Sequence, residues 1–177
     1  MSEPSSRLKN FSISWFSLVM GLAGFSIAWS KTEAVFSLNV PISLGLLALT
    51  IMTTGLLAVI YFAKWLKYPG EVVAEVRHPV KLAFVPTVSI SLILLSIATL
   101  HLAPQFSFWL WSIGTVLHLM LTLYVLSSWM HHDRYEIQHL NPAWFIPVVG
   151  NILVPIAGVH HAPAEISWFF FSAGLFF

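Results

Sequence analysis

Eight histidines are the side chains in this 177-residue sequence best suited to chemistry. An imidazole can hold a metal, ligate haem, relay protons or simply hydrogen-bond. Their spacing argues against the first two. No H-x-x-H-H run occurs, and no H-x-x-x-H pair shares a helical face. His131, His132 and His139 follow one long apolar run, whereas His160 and His161 end the next. One metal centre would have to draw on both groups across about 30 Å of hydrocarbon, so a membrane di-iron oxidase is excluded and no metal site is expected. His118 lies in the middle of an apolar run and could face a haem, but its one plausible mate, His101, sits near the end of the preceding run, at another depth. The expectation for His118 is a buried neutral ring bonded to a hydroxyl. The cluster from His131 to His139 is expected to face lipid headgroups.

The other chemistries are absent by residue type. There are no cysteines, which removes thiol nucleophiles, Cys-zinc sites and iron–sulfur clusters. No P-loop, catalytic triad or Gly-rich nucleotide motif occurs, so neither an enzyme nor a cofactor is expected. What remains is a set of small and polar residues at helical spacing. In the first apolar run they are Ser14, Ser17, Gly21, Gly24 and Ala28; in the third, Pro86, Ser89 and Ser96; in the fifth, Pro147, Gly150, Asn151, Val154 and Gly158. Such stripes let helices approach closely in lipid, with Ser and Thr hydroxyls bonding back to their own helix. They could equally wall a conduit, because Pro86, Pro147 and Pro155 are expected as mid-helix breaks that free carbonyls. Proton-coupled carriers bury Asp, Glu or His along their route; here only His118 is expected deep, which favours passive permeation.

The elements that position these residues follow from composition. With 58% hydrophobic and 8% charged residues and a mean hydropathy of +0.84, the chain cannot present the charged surface of a soluble domain. The expected fold is an all-α, polytopic transmembrane helical bundle, a single domain over 1–177 whose solvent is the lipid bilayer. Each span needs about 20 apolar residues, and runs of that order lie at about 11–30, 39–63, 82–103, 106–130 and 143–160. A partial sixth at 165–177 follows Glu165, and its lack of a polar stop suggests a helix cut partway, in a fragment or a truncated product. Asp, Glu, Lys and Arg are absent from 11–30, 38–63, 82–130 and 140–164. Arg7, Lys9, Lys64, Lys67, Arg77, Lys81 and Arg134 fall on one side of the expected topology and only Lys31 on the other. The positive-inside rule then puts the N-terminus in the cytoplasm. The first run is too long for a signal peptide and has no A-x-A-like site before Lys31. Residues 1–6 read as a short tail, and the mixed-sign stretch from Lys64 to Lys81 as an interfacial helix with internal ion pairs. A net charge of +1 offers no basic face to a nucleic acid.

Three segments carry a family resemblance. They are Arg77-His-Pro-Val-Lys-Leu-Ala-Phe-Val-Pro-Thr-Val-Ser-Ile-Ser-Leu, Phe16-Ser-Leu-Val-Met-Gly-Leu-Ala-Gly, and Asn141-Pro-Ala-Trp-Phe-Ile-Pro-Val-Val-Gly-Asn. Together they resemble the tellurite-resistance/dicarboxylate transporter family, which includes TehA, the yeast malic-acid transporter and the slow anion channels of plant guard cells. The resemblance implies a ten-helix subunit of five hairpins, with odd-numbered helices around a pore, and homotrimers with one pore per subunit. It implies small-anion substrates (chloride, nitrate, C4-dicarboxylates or tellurite-related oxyanions) and a plasma membrane, the inner membrane in a bacterium. By that match Gly21, Gly24, Pro86, Ser89, Pro147 and Gly150 are the expected pore-lining or pore-shaping residues. The family's pore-occluding phenylalanine lies on a ninth helix beyond this sequence. The alternative is a non-transporting membrane scaffold, or an inactive truncated fragment, in which the stripes only pack.

Overall fold

A computed structural model describes residues 7–131 and 142–176. The described residues form helices and no strands: α1 Phe16–Phe36, α2 Ile42–Lys67, α3 Pro69–Arg77, α4 Thr87–Thr99, α5 Pro104–His131, α6 Ile146–His161 and α7 Ala164–Phe176. Five segments are long and apolar enough to cross a membrane: Ile13–Phe36, Ile42–Lys67, Lys81–Thr99, Pro104–Met130 and Pro142–His161. Residues 1–6, the predicted headgroup-facing His132 and His139, Arg134, and Phe177 lie outside the described residues.

Three antiparallel hairpins build the bundle, α1–α2, α4–α5 and α6–α7. The first turns over five residues after Ser37 takes a left-handed conformation with φ 52°. Glu33, in the last turn of α1, accepts from the backbone N–H of Ser43 at 2.8 Å and from its hydroxyl. Its carboxylate thereby supplies one of the partners that the first turn of α2 lacks. The first helix therefore runs past residue 30, where apolar content alone would end it, and includes Lys31 and Glu33. Similarly Lys64 and Lys67 are the last turn of α2 rather than its connection.

A short helix does lie between the second and third spans, α3, with Pro69 in its first turn. One of its ion pairs stays within the Lys64–Lys81 stretch and the other leaves it. Glu75 reaches back to Lys64 of α2 at 3.0 Å, and Glu71 reaches Lys9 before α1 at 3.3 Å. The Lys64 ammonium is buried and also donates to the carbonyl of Phe11 at 2.6 Å, while Tyr61 Oη donates to Glu75 at 3.1 Å. Three segments (the lead into α1, the end of α2, and α3) thus converge on one buried cation. A nine-residue helix can meet a long side chain leaving α2 only by folding back on it.

Pro86 and Pro147 are not mid-helix. Pro86 is the N-cap of α4, after a 3-10 turn at Lys81–Phe84, and Pro147 lies in the first turn of α6, after a 3-10 turn at Pro142–Phe145. Proline suits a first turn, where its missing N–H has no partner to lose. Among the described helices, the proline beyond a first turn is Pro155. α4 is the centre, touching α1, α5 and α6. Its hydroxyls bond back along the helix: Ser91 to Thr87 O, Ser96 to Ile93 O and Thr99 to Leu95 O, each at 2.7 Å. Bulky residues cover the outside, including Met52, Leu56 and Val59 on α2 and Met120 and Leu123 on α5. Wholly apolar exposure of this kind suits lipid.

Candidate functional site

The six residues expected at the pore separate into two places. Gly21 and Gly24 lie on an exposed face of α1, and a β-carbon built at either meets no atom of the described residues within 4 Å. That face opens onto a groove of about 730 Å³ lined by Ser14, Trp15, Ser17, Leu18, Gly21, Leu22, Phe25 and Phe84. The opposite face of α1 carries Phe16, Val19, Ala23 and Ser26 into the bundle. Helical periodicity thus separates that buried set from an outward face on which Gly21, Gly24, Ser14 and Ser17 stand beside the exposed Trp15, Leu18 and Phe25. A second cleft, of about 350 Å³, lies where α1, α2, α4 and α6 come together, with Lys31, His101 and His160 on its wall. The rings of His101 and His160 are 6.4 Å apart, so His101, set aside above as a haem mate for His118, stands beside another histidine.

Pro86, Ser89, Pro147 and Gly150 are all buried. They surround His118, which α5 inserts between α4 and α6 with no exposed surface. Its Nε2 lies 3.1 Å from Pro147 O, and a carbonyl only accepts, so Nε2 carries the hydrogen. Nδ1 is then the acceptor, 3.0 Å from Ser89 Oγ. Ser89 Oγ is also 2.8 Å from Pro86 O, so its single hydrogen serves one of the two at a time. Thr122 Oγ1 and Asn151 Nδ2 each donate to Pro147 O at 3.0 Å. The expected hydroxyl partner of the buried imidazole is therefore present: Ser89 at Nδ1, with Thr122 Oγ1 also 3.3 Å from Nε2.

Gly150 is what admits the ring. A β-carbon there would stand 2.2 Å from His118 Cε1 and 2.3 Å from Nε2. The rest of the stripe on α6 is filled too. Gly158 packs against Trp111 and Ser167, Asn151 lies beside Gly174 of α7, and Trp111 Nε1 donates to Val154 O at 2.9 Å. Nothing in the sequence announced Trp111 or Thr122 as partners of α6, because both rest on contacts between residues far apart in the chain. No group of three or more metal-ligating side chains occurs among the described residues.

Comparison with known proteins bears on what this arrangement does. The family model described as "SLAC1: Voltage-dependent anion channel" matches residues 10–177. An uncharacterized transporter of Methanocaldococcus jannaschii is 31% identical over 190 residues, covering 97% of this chain and 54% of that protein. The tellurite resistance protein TehA homolog of Haemophilus influenzae is 26% identical, covering 91% of the chain and 49% of its own length. The S-type anion channel SLAH3 of Arabidopsis thaliana is 25% identical over 95% of the chain and 28% of its own length. The chain spans about half the length of the first of these relatives.

Proposed function

The chain belongs to the SLAC1 family of voltage-dependent anion channels, and on that premise we propose that it supplies part of the wall of a passive pathway for small anions. Chloride, nitrate, C4-dicarboxylates and tellurite-related oxyanions are the candidate substrates. Gly21 and Gly24 line the pathway, with Ser14 and Ser17, whereas Pro86, Ser89, Pro147 and Gly150 shape it from behind. The carrying observation is the outward glycine and hydroxyl face of α1. α2 exposes glycines as well, Gly45 and Gly55, among Leu44, Met52, Leu56 and Val59; the α1 face differs in opening onto a groove, where Trp15, Leu18 and Phe25 stand beside the glycines and serines. Weak contacts from hydroxyls and backbone suit conduction, because an ion must leave as readily as it enters. The N-terminus is cytoplasmic, the membrane is the plasma membrane (the inner membrane of a bacterium), and the assembly is a homotrimer.

These 177 residues contain no cysteine, and any cysteine elsewhere in the gene product is replaced first to give a clean background. The protein, at the full length its gene encodes, is reconstituted in liposomes and anion flux is followed. Gly21→Leu and Gly24→Leu should each cut flux at least tenfold. Gly21→Cys and Ser17→Cys should react with a membrane-impermeant thiol reagent, whereas Met52→Cys should not. Inert cysteines on α1 together with unchanged flux would remove that face from any pathway and leave a packing scaffold as the better reading.

A further inference from the structure

We infer that His118 is a positioning residue, a strut from α5 that fixes the spacing of α4 and α6 and so the width of whatever passes beside them. This rests on the reading that those two helices stand at the pathway, but the strut itself rests on geometry. The ring is fully buried, and its two nitrogens engage different helices at the same depth, Ser89 Oγ on α4 at 3.0 Å and Pro147 O on α6 at 3.1 Å. Both contacts fall where the backbone changes from 3-10 to α geometry beside a proline. Such a transition has fewer helical hydrogen bonds on its N-terminal side to resist movement, because proline donates none. A rigid planar ring holding both transitions leaves neither helix free to slide without breaking a buried bond, and a buried polar group without its partner is costly. Gly150 completes the device. Only a residue without a β-carbon lets the imidazole reach Pro147 O, and Thr122, one turn along α5 from His118, bonds the same carbonyl at 3.0 Å.

Two readouts test the strut, the first independent of the pathway and the second through it, both on the protein at full genetic length. The first is a thermal-stability cycle in detergent with Gly150→Ala, His118→Ala and the double variant. Gly150→Ala should lower the melting temperature clearly in the native background. It should lower it by less than half as much once His118 is gone, because the clashing ring is absent. An undiminished penalty in the double variant would assign the clash to Ile90, whose Cγ1 stands 2.8 Å from the same β-carbon, and would overturn the seat. The second is the permeability ratio of nitrate to a C4-dicarboxylate in liposomes. His118→Ala should change that ratio at least threefold with protein yield preserved, and His118→Gln, which keeps an amide donor near the Nε2 position, should restore it in part. A native ratio in His118→Ala would overturn the strut. If the native protein passes no anion, the pathway reading fails, and the stability cycle alone still decides on the strut. Should His118→Ala not fold, the cycle is run with His118→Gln.

Discussion

Glu75→Gln tests how the corner of the bundle beside the lead into α1 is held. The Lys64–Glu75 pair has side-chain exposures of 1% and 6%, and the ammonium has two further neighbours, Phe11 O at 2.6 Å and the Tyr61 ring, whose centroid is 5.7 Å away. Replacing the carboxylate with an amide of the same size leaves a buried cation with only neutral oxygens around it. Removing one partner of a buried pair costs about 3–5 kcal/mol. The introduced amide can keep its carbonyl toward Lys64 while its NH2 donates to Tyr61 Oη, reversing that bond, which places the loss near the lower end, about 3 kcal/mol. For a chain of this size each kcal/mol corresponds to about 2–4 °C of melting temperature, so a fall of roughly 6–12 °C is expected, read as loss of monodisperse protein on heating in detergent. Because Lys64 also holds Phe11, the segment before α1 should become more sensitive to protease at the same time. Lys64→Met combined with Glu75→Gln should recover at least half of the loss, since no uncompensated charge is then buried. A shift below about 2 °C for Glu75→Gln, or strictly additive losses in the double variant, would refute the account.

Two further substitutions probe the helix seams by the same assay, with a third as their control. Gly174→Ala puts a β-carbon 2.5 Å from Ile152 Cγ1 and 3.0 Å from its backbone nitrogen, so overpacking of about 1–3 kcal/mol is expected at the α6–α7 contact. Gly24→Ala meets nothing within 4 Å and should be neutral or slightly stabilising, as alanine favours helix by about 1 kcal/mol over glycine; equal losses at both positions would break the distinction between filled and open glycines. Trp111→Phe removes the 2.9 Å bond to Val154 O between α5 and α6 and should cost about 1–2 kcal/mol, with an unchanged melting temperature showing that the indole bond contributes nothing.

The hydrophobic runs carried most of the fold. Spans near 11–30, 39–63, 82–103, 106–130 and 143–160 correspond to helices because a bilayer leaves the backbone few other ways to satisfy itself. Their ends were less legible, because end positions depend on polar contacts across a hairpin. Glu33 extends α1 by accepting from Ser43, and Lys64 stays in α2 because Glu75 and Phe11 meet it. The prolines misled for a related reason. Pro86 and Pro147 lie inside apolar runs, and hydropathy does not distinguish a proline within a helix from one that starts it after a 3-10 turn. The mutual partners of the candidate site were illegible for a third reason. Ser89, His118 and Pro147 lie 29 residues apart in turn, and no local pattern specifies which rotation of α5 brings His118 between its neighbours.

The small-residue stripes show why composition alone could not separate a lining from a seam. α1 and α6 carry nearly the same kind of face, glycines at helical spacing with polar neighbours. On α6 each glycine is opposed by a large side chain, His118 at Gly150 and Trp111 at Gly158, and the absence of a β-carbon is consumed by that neighbour. On α1 none of the described residues occupies the space at Gly21 or Gly24. A missing side chain in the first case is a packing requirement whose loss appears as instability. In the second it is a width, whose loss would appear as flux and leave stability untouched. The same substitution, glycine to a larger residue, therefore separates the two roles when both quantities are measured on one preparation: α6 variants should fail in melting first, and α1 variants in permeation alone.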